Sequence, residues 1–276
     1  MKFLSQYYNP VGEKEIILFL EGKGQMPKYP VWVTFDDGYK DNYKNAYPIF
    51  KKYKIPATFF VTTGFINKEA IPYEDYVQEA VRIIPLKEVR FNFNKKEYKF
   101  SLNTEEQKKN MIRNLLSIVG NNTSAKNSHV LELMNSLKIS AKNIHDLFMN
   151  WDEIRELNKN GFSIGAHTVN HHILSSLSAQ EALKEISVSK KEIEKNLGLT
   201  ISSFAYPRGK KTDFDAGVCS PILQSCGFQL GVSTVGGYNN KPLNKDRFKL
   251  KRMGVGYGDS LEFFKIKVST GSFWQL

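Results

Sequence analysis

The apolar run Val31-Trp32-Val33-Thr34-Phe35 follows Pro30 and breaks into Asp36-Asp37-Gly38. A β-branched and aromatic run of this length, closed by turn formers, predicts a buried strand feeding a turn. Tyr43, Ala46, Tyr47, Phe50 and Tyr53 then recur at helical spacing, Ile55-Pro56 stops that helix, and Ala57 to Thr62 reads as a second strand. Strand, helix and strand within about thirty residues is the pattern of a parallel βαβ unit.

The rhythm changes from Ile66 to Phe148, where lysine- and asparagine-rich stretches predict a hairpin around Phe91 to Lys96 and polar helices near Glu105–Val119 and His129–Leu137. Alternation resumes at Trp151 to Leu157, a helix that Asp152 can cap and Gly161 can end. Phe162 to Ala166 is a short strand that delivers His167. Ser178-Ala179-Gln180-Glu181 is a capping box, opening a helix whose Ala182, Leu183, Ile186, Ile193 and Leu197 form one stripe closed by Gly198. Strand Ser203–Tyr206, helix Ala216–Cys226 and strand Phe228–Ser233 follow. Repeated βα units predict a parallel sheet with helices outside it, as an open wound sheet or a barrel.

With 276 residues, 41% of them hydrophobic, the chain can bury a large core. We expect a single domain over 1–276, with an N-terminal extension over about 1–28 and a largely helical insertion over about 66–150. The net charge of +11 comes from dispersed lysines, with clusters no longer than Lys190-Lys191 and Lys210-Lys211. That distribution argues against a nucleic-acid partner and leaves peripheral attraction to an anionic membrane open. Cys219 and Cys226 are too few for a disulfide framework or a zinc knuckle. No apolar run reaches membrane-spanning length and no signal peptide is seen, so the expected location is cytoplasmic.

Chemistry concentrates at strand ends, where parallel folds gather their functional loops. Asp36 and Asp37 end one predicted strand, His167 another, and Pro207-Arg208-Gly209 a third. His167 and His171 are four apart, so a helical turn after the strand would aim both imidazoles the same way. Two imidazoles and a carboxylate make the three-ligand set of a catalytic divalent metal with open positions. Adjacent aspartates on extended backbone diverge, so one should bind the ion while the other accepts a proton from an attacking water. His172 should point elsewhere. Tyr39, Tyr43, Tyr206, Tyr238 and Tyr257 are candidates for stacking on sugar rings.

Thr34-Phe35-Asp36-Asp37-Gly38, His167-Thr168-Val169-Asn170-His171 and Phe204-Ala205-Tyr206-Pro207-Arg208-Gly209 resemble, in order and spacing, the first three motifs of the polysaccharide deacetylase family, carbohydrate esterase family 4 or NodB homology domain, in its Phe-Ala-Tyr-Pro subgroup. The resemblance implies a distorted (β/α) barrel and a hydrolase that removes an N-acetyl group from a sugar of a bacterial polysaccharide or its precursor. It implies Asp36 as general base and Asp37, His167 and His171 as ligands of one divalent ion, zinc by preference, with cobalt, nickel or manganese as substitutes. It implies an oxyanion contact from the backbone N–H of Arg208, and substrate contacts at Tyr206, Pro207 and Gly209.

Two departures stand out. Ala205 occupies the position where many members carry an arginine that pairs with the base, leaving Arg208 or Arg252 to replace it. No histidine follows His172, so the family's usual acid is missing. An O-deacetylase, a deformylase or an inactive carbohydrate-binding relative remain as alternatives.

Overall fold

The computed structural model describes residues 1–70, 72–85, 87–93, 95–120, 132, 135–137, 145–239, 247–256 and 258–270. Its strands, in chain order, are β1 (Asn9–Pro10), β2 (Pro30–Val31), β3 (Val33–Phe35), β4 (Ala57–Val61), β5 (Glu88–Phe93), β6 (Lys96–Ser101), β7 (Ser163–Ala166), β8 (Ser203–Ala205) and β9 (Leu230–Val232). The chain divides into two compact units, one of Met1–Asn67 with Phe148–Leu276, the other of Lys68–Leu147.

In the first unit a curled five-stranded sheet has the order β3-β4-β7-β8-β9, and every neighbouring pair is parallel. This is the half-barrel form of the distorted (β/α) barrel. Helices Tyr47–Tyr53, Trp151–Lys159, Ala179–Leu197 and Ala216–Ser225 lie along the connections between its strands. The capping box Ser178/Glu181 and the left-handed Gly198 bound the third of these where the pattern placed them. Helix Trp151–Lys159 is capped by Asn150 with Glu153, two positions earlier than Asp152, because an N-cap must precede the first helical residue.

The half-barrel closes over an aliphatic and aromatic interior. Phe60, Ala205, Leu230, Val232 and Leu250 pack with Leu20 of helix Glu13–Leu20, and Ile16, Ile17 and Trp32 lean on them. The first residues therefore add helices and the two-residue strand β1, which pairs with β2, to an open edge of the fold and leave the central sheet at five strands. Beyond β9 the segment at 247–252 runs alongside it: Gly231 donates to Arg247 O, Leu250 to Gly231 O and Ser233 to Leu250 O. Gly165 is demanded by the curl, since a Cβ there would lie 2.5 Å from the Phe60 ring and 2.7 Å from Ser203 Oγ.

The second unit has its own core, built from Tyr76, Val77, Ala80 and Val81 of helix Tyr73–Ile83, Val89, Phe91 and Phe93 of β5, and Met111 and Leu115 of helix Glu105–Gly120. β5 alternates exposed and buried residues and pairs antiparallel with β6, so a hairpin supplies one face of a segment expected to be largely helical. Most of the helix expected at His129–Leu137, and Tyr257, lie outside the described residues.

Candidate active site

β3, β4 and β7 are neighbours, so the turns leaving their C-terminal ends meet. The Asp36-Asp37-Gly38 turn holds two left-handed residues, Asp37 at φ 70° and Gly38 at φ 87°. Aspartate tolerates that region better than most side chains, and glycine enters it freely. Gly38 also has no room for a side chain, because a Cβ would approach Ile66 to 3.1 Å and Val61 to 3.3 Å.

The turn after β7 holds two more left-handed residues, Thr168 at φ 65° and His171 at φ 56°. The expected helical turn between the histidines is therefore replaced by an irregular one. Its conformation is held by hydrogen bonds: Thr168 Oγ1 accepts from His171 N at 3.0 Å, and Thr63 N and Gly64 N donate to the carbonyls of Thr168 and Val169. The end of β4 grips both turns, with Thr62 N donating to Asp37 O and Thr62 Oγ1 to His167 O. Left-handed backbone at a non-glycine residue costs on the order of 1–3 kcal/mol and persists where surrounding contacts over-determine it.

The result is a convergence of three donors. Asp37 Oδ1 lies 3.2 Å from His167 Nε2 and 3.2 Å from His171 Nε2. Among the described residues this is the one such cluster, with all three ligand atoms within 4.8 Å of one another. His167 is 1% exposed, while the side chains of Asp37 and His171 keep 24% and 27% of their surface, so one side faces solvent. His167 Nδ1 lies 2.7 Å from Ala205 O. A carbonyl only accepts, so Nδ1 carries the proton and the Nε2 lone pair faces Asp37.

Asp37 Oδ1 is buried with no hydrogen-bond partner. An imidazole nitrogen and a carboxylate oxygen aimed at one another repel unless a positive centre, a shared proton or a bound cation, sits between them. The electrostatics agree. Burial alone would raise the Asp37 carboxyl, yet the two imidazoles hold it well below the usual carboxylate range. Burial alone would lower His167, yet Asp37 and Asp36 raise it. Both directions describe a pocket that favours added positive charge, and the nitrogen–nitrogen–oxygen donor set fits a divalent ion of the zinc type.

Asp36 turns away from this cluster. Its Oδ1 and Oδ2 each receive a 2.7 Å bond from the Arg252 guanidinium, whose remaining donors reach Thr34 Oγ1 at 3.0 Å and Ser233 O at 2.9 Å. Burial would raise the Asp36 carboxyl, but Arg252 holds it below its ordinary value. Arg252 also lies over the Phe60 ring and joins the last strand's end to the first's, across the sheet's open side. Of the two arginines that sequence offered to replace the missing charge at Ala205, the structure selects Arg252.

The third expected cluster differs in part. Tyr206 is fully buried, stacked on Phe214, with its hydroxyl donating to Phe248 O at 2.7 Å, so it offers no face to a sugar. Pro207 and Gly209 are buried as well, while Arg208 is exposed with φ 58°. Gly209 fits the turn because a Cβ would stand 2.8 Å from Thr234 N. Tyr39 stacks on Phe148, and Phe148 and Phe65 continue that wall to the His171 ring at 5.9 Å. Tyr43 binds Glu156, and Tyr238 reaches Val268 O. His172 faces Glu185 at 3.8 Å and takes no part in the triad.

Sequence reasoning passed over Glu185, which supports the histidine turn. Its one signal was an acid on the buried side of a helix, beside Ala182 and Ile186.

Comparison with known proteins bears on this geometry. A family model described as polysaccharide deacetylase matches residues 23–91 and 101–229. A 52-residue stretch is 54% identical to the poly-beta-1,6-N-acetyl-D-glucosamine N-deacetylase of Staphylococcus aureus, covering 19% of this chain and 18% of that protein. The matched stretch thus spans under a fifth of the relative's length. Among solved structures, a Streptococcus pyogenes deacetylase, PplD, in complex with acetate superposes with TM-score 0.61 at 20% identity, over 96% of this chain and 81% of that one. IcaB from Ammonifex degensii gives TM-score 0.61 at 20% identity, over 97% and 85%. At these identities the two structures share the fold.

Proposed function

The chain belongs to the polysaccharide deacetylase family, and from that membership and the geometry of the site we propose that it hydrolyses N-acetyl groups on a bacterial polysaccharide of N-acetylglucosamine, using a divalent ion held by Asp37, His167 and His171. The observation that carries the reading is the pairing of an unpartnered Asp37 oxygen, 3.2 Å from two imidazole nitrogens, with a second carboxylate clamped by Arg252. The staphylococcal relative's substrate supplies the polymer class.

Acetamide hydrolysis adds water to the carbonyl carbon, breaks the C–N bond and leaves acetate and an amine. A bound ion would supply positive charge that acidifies the attacking water and offsets negative charge on the acetyl oxygen. Asp36 stays ionised at neutral pH because Arg252, against the upward push of burial, holds its carboxyl below the ordinary value, so it is ready to take the proton from that water. The same depression makes protonated Asp36 a strong acid, able to pass its proton to the departing nitrogen. One carboxylate then serves both proton transfers, which suits a chain with no histidine after His172. Arg252 fixes the carboxylate plane with two parallel bonds, so the base does not swing toward the ion. The exposed Arg208 turn would offer its backbone N–H to the oxyanion, and the Tyr39, Phe148 and Phe65 wall would border the sugar.

The test is acetate release from N-acetylglucosamine oligomers by wild type and Asp36→Asn. Turnover should fall at least about 10²-fold, the usual worth of a general base, with metal affinity retained. Asp36→Asn protein that binds metal and keeps wild-type turnover would remove Asp36 from its role.

A further inference from the structure

Glu185 lies on helix Ala179–Leu197 and is 8% exposed, outside the metal triad and away from Asp36. Its Oε2 accepts from Val169 N at 3.0 Å and Asn170 N at 2.8 Å, and its Oε1 accepts from Asn170 Nδ2 at 2.6 Å. Three N–H donors from two consecutive residues thus converge on one carboxylate. Those residues lie between the left-handed Thr168 and His171, in the turn that brings His171 within 3.2 Å of Asp37. Thr168 Oγ1 fastens the far side of the turn, and the carbonyls of Thr168 and Val169 are fixed by the end of β4. The two middle amides have Glu185 as their acceptor.

We propose that Glu185 is a positioning residue for the metal site: it holds the His167–His171 turn in its left-handed form and thereby sets the bite between the two imidazoles. This rests on the reading of Asp37, His167 and His171 as ligands. Residues that orient a ligand from behind typically govern metal affinity by 10- to 100-fold when replaced. Glutamine is the informative replacement. It keeps the shape, but its amide nitrogen would face N–H donors, so one acceptor position becomes repulsive.

The experiment uses the full chain, stripped of metal, in titrations with Zn2+ and Co2+. Glu185→Gln should bind Zn2+ about 10- to 100-fold more weakly than wild type. It should also alter the visible spectrum of the Co2+ form and speed hydrogen exchange at the Val169 and Asn170 amides. The thermal midpoint of the metal-free protein should move little. A purely structural role would give the opposite split, with a lower midpoint, unchanged Zn2+ affinity in the folded protein and an unchanged Co2+ spectrum, and would overturn the proposal. Should Glu185→Gln fail to fold, Asn170→Ala removes one of the three donors and should weaken Zn2+ binding by roughly threefold, below the range for a lost orienting residue. Wild-type affinity in Asn170→Ala would then overturn the proposal. Absence of Zn2+ binding by wild type would defeat the metal reading itself, a distinct result.

Discussion

Replacing Arg252 by methionine keeps an unbranched apolar stem and deletes the guanidinium with its charge, its two bonds to Asp36 and its bonds to Thr34 and Ser233. Breaking a buried ion pair from one side costs about 3–5 kcal/mol, because the remaining charge has lost its partner. Here the arginine and aspartate side chains keep 15% and 25% of their surface, so water partly rescues Asp36 and the cost should fall near 2–3 kcal/mol. The functional effect is larger. Burial is the strongest influence on the Asp36 carboxyl and pushes it upward, and Arg252 overcomes it. With the arginine gone the upward push of burial loses its main counterweight, the carboxyl holds its proton to higher pH, and its plane is no longer fixed toward the attacking water. Acetate release should show kcat/KM reduced about 10²- to 10⁴-fold at neutral pH, partly recovered as pH rises, with the acid limb of the profile displaced upward. The stability consequence has the same origin. Wild-type Asp36, depressed in the folded protein, stabilises above its unfolded value, and that contribution disappears as pH falls through the folded one. The methionine variant should lack this loss on the acid side. Arg252→Lys should recover only part of the rate, since an ammonium cannot make the parallel pair. A methionine variant with the wild-type rate and pH profile would show that Arg252 does not control Asp36.

Other consequences follow from the fold. Gly165→Ala should destabilise by about 1–3 kcal/mol in chemical denaturation, because its methyl would meet Phe60 and Ser203 inside the curl; an unchanged midpoint would contradict that packing. Glu13, whose Oε1 is buried without a partner, is raised by burial against the opposing influence of Ser203, Ser163 and Lys190. Between its unfolded and folded values the native state binds the extra proton, so stability should fall as pH rises through that window and Glu13→Gln should remove the slope. His172→Ala should leave Zn2+ affinity within about twofold, since its ring lies outside the triad and stands 3.8 Å from Glu185, beyond hydrogen-bond reach.

Much of this was legible in the chain because local rules and global packing agree. The apolar run into Asp36-Asp37-Gly38, the Ser178/Glu181 box and the Gly198 stop each act through neighbouring residues, so their elements formed where the pattern placed them. The triad was legible because ligand chemistry restricts which residue types can serve. What sequence could not supply were the long-range choices. Arg252 reaches Asp36 across 216 positions, and only the return of the segment beside β9 brings them together. The shape of the turn between the histidines is hidden from sequence as well, because its two left-handed residues, Thr168 and His171, are not glycines. Tyr206 read as a sugar platform because tyrosine is amphipathic, while its hydroxyl in fact satisfies the Phe248 carbonyl inside the fold.

The most direct test of the central claim is acetate release from an N-acetylglucosamine polymer by chelator-treated protein, followed as Zn2+ is returned. Release should be negligible without metal and should recover to saturate at one ion per chain, with no recovery in Asp37→Ala. Release that persists without metal, or none at any occupancy, would contradict that claim.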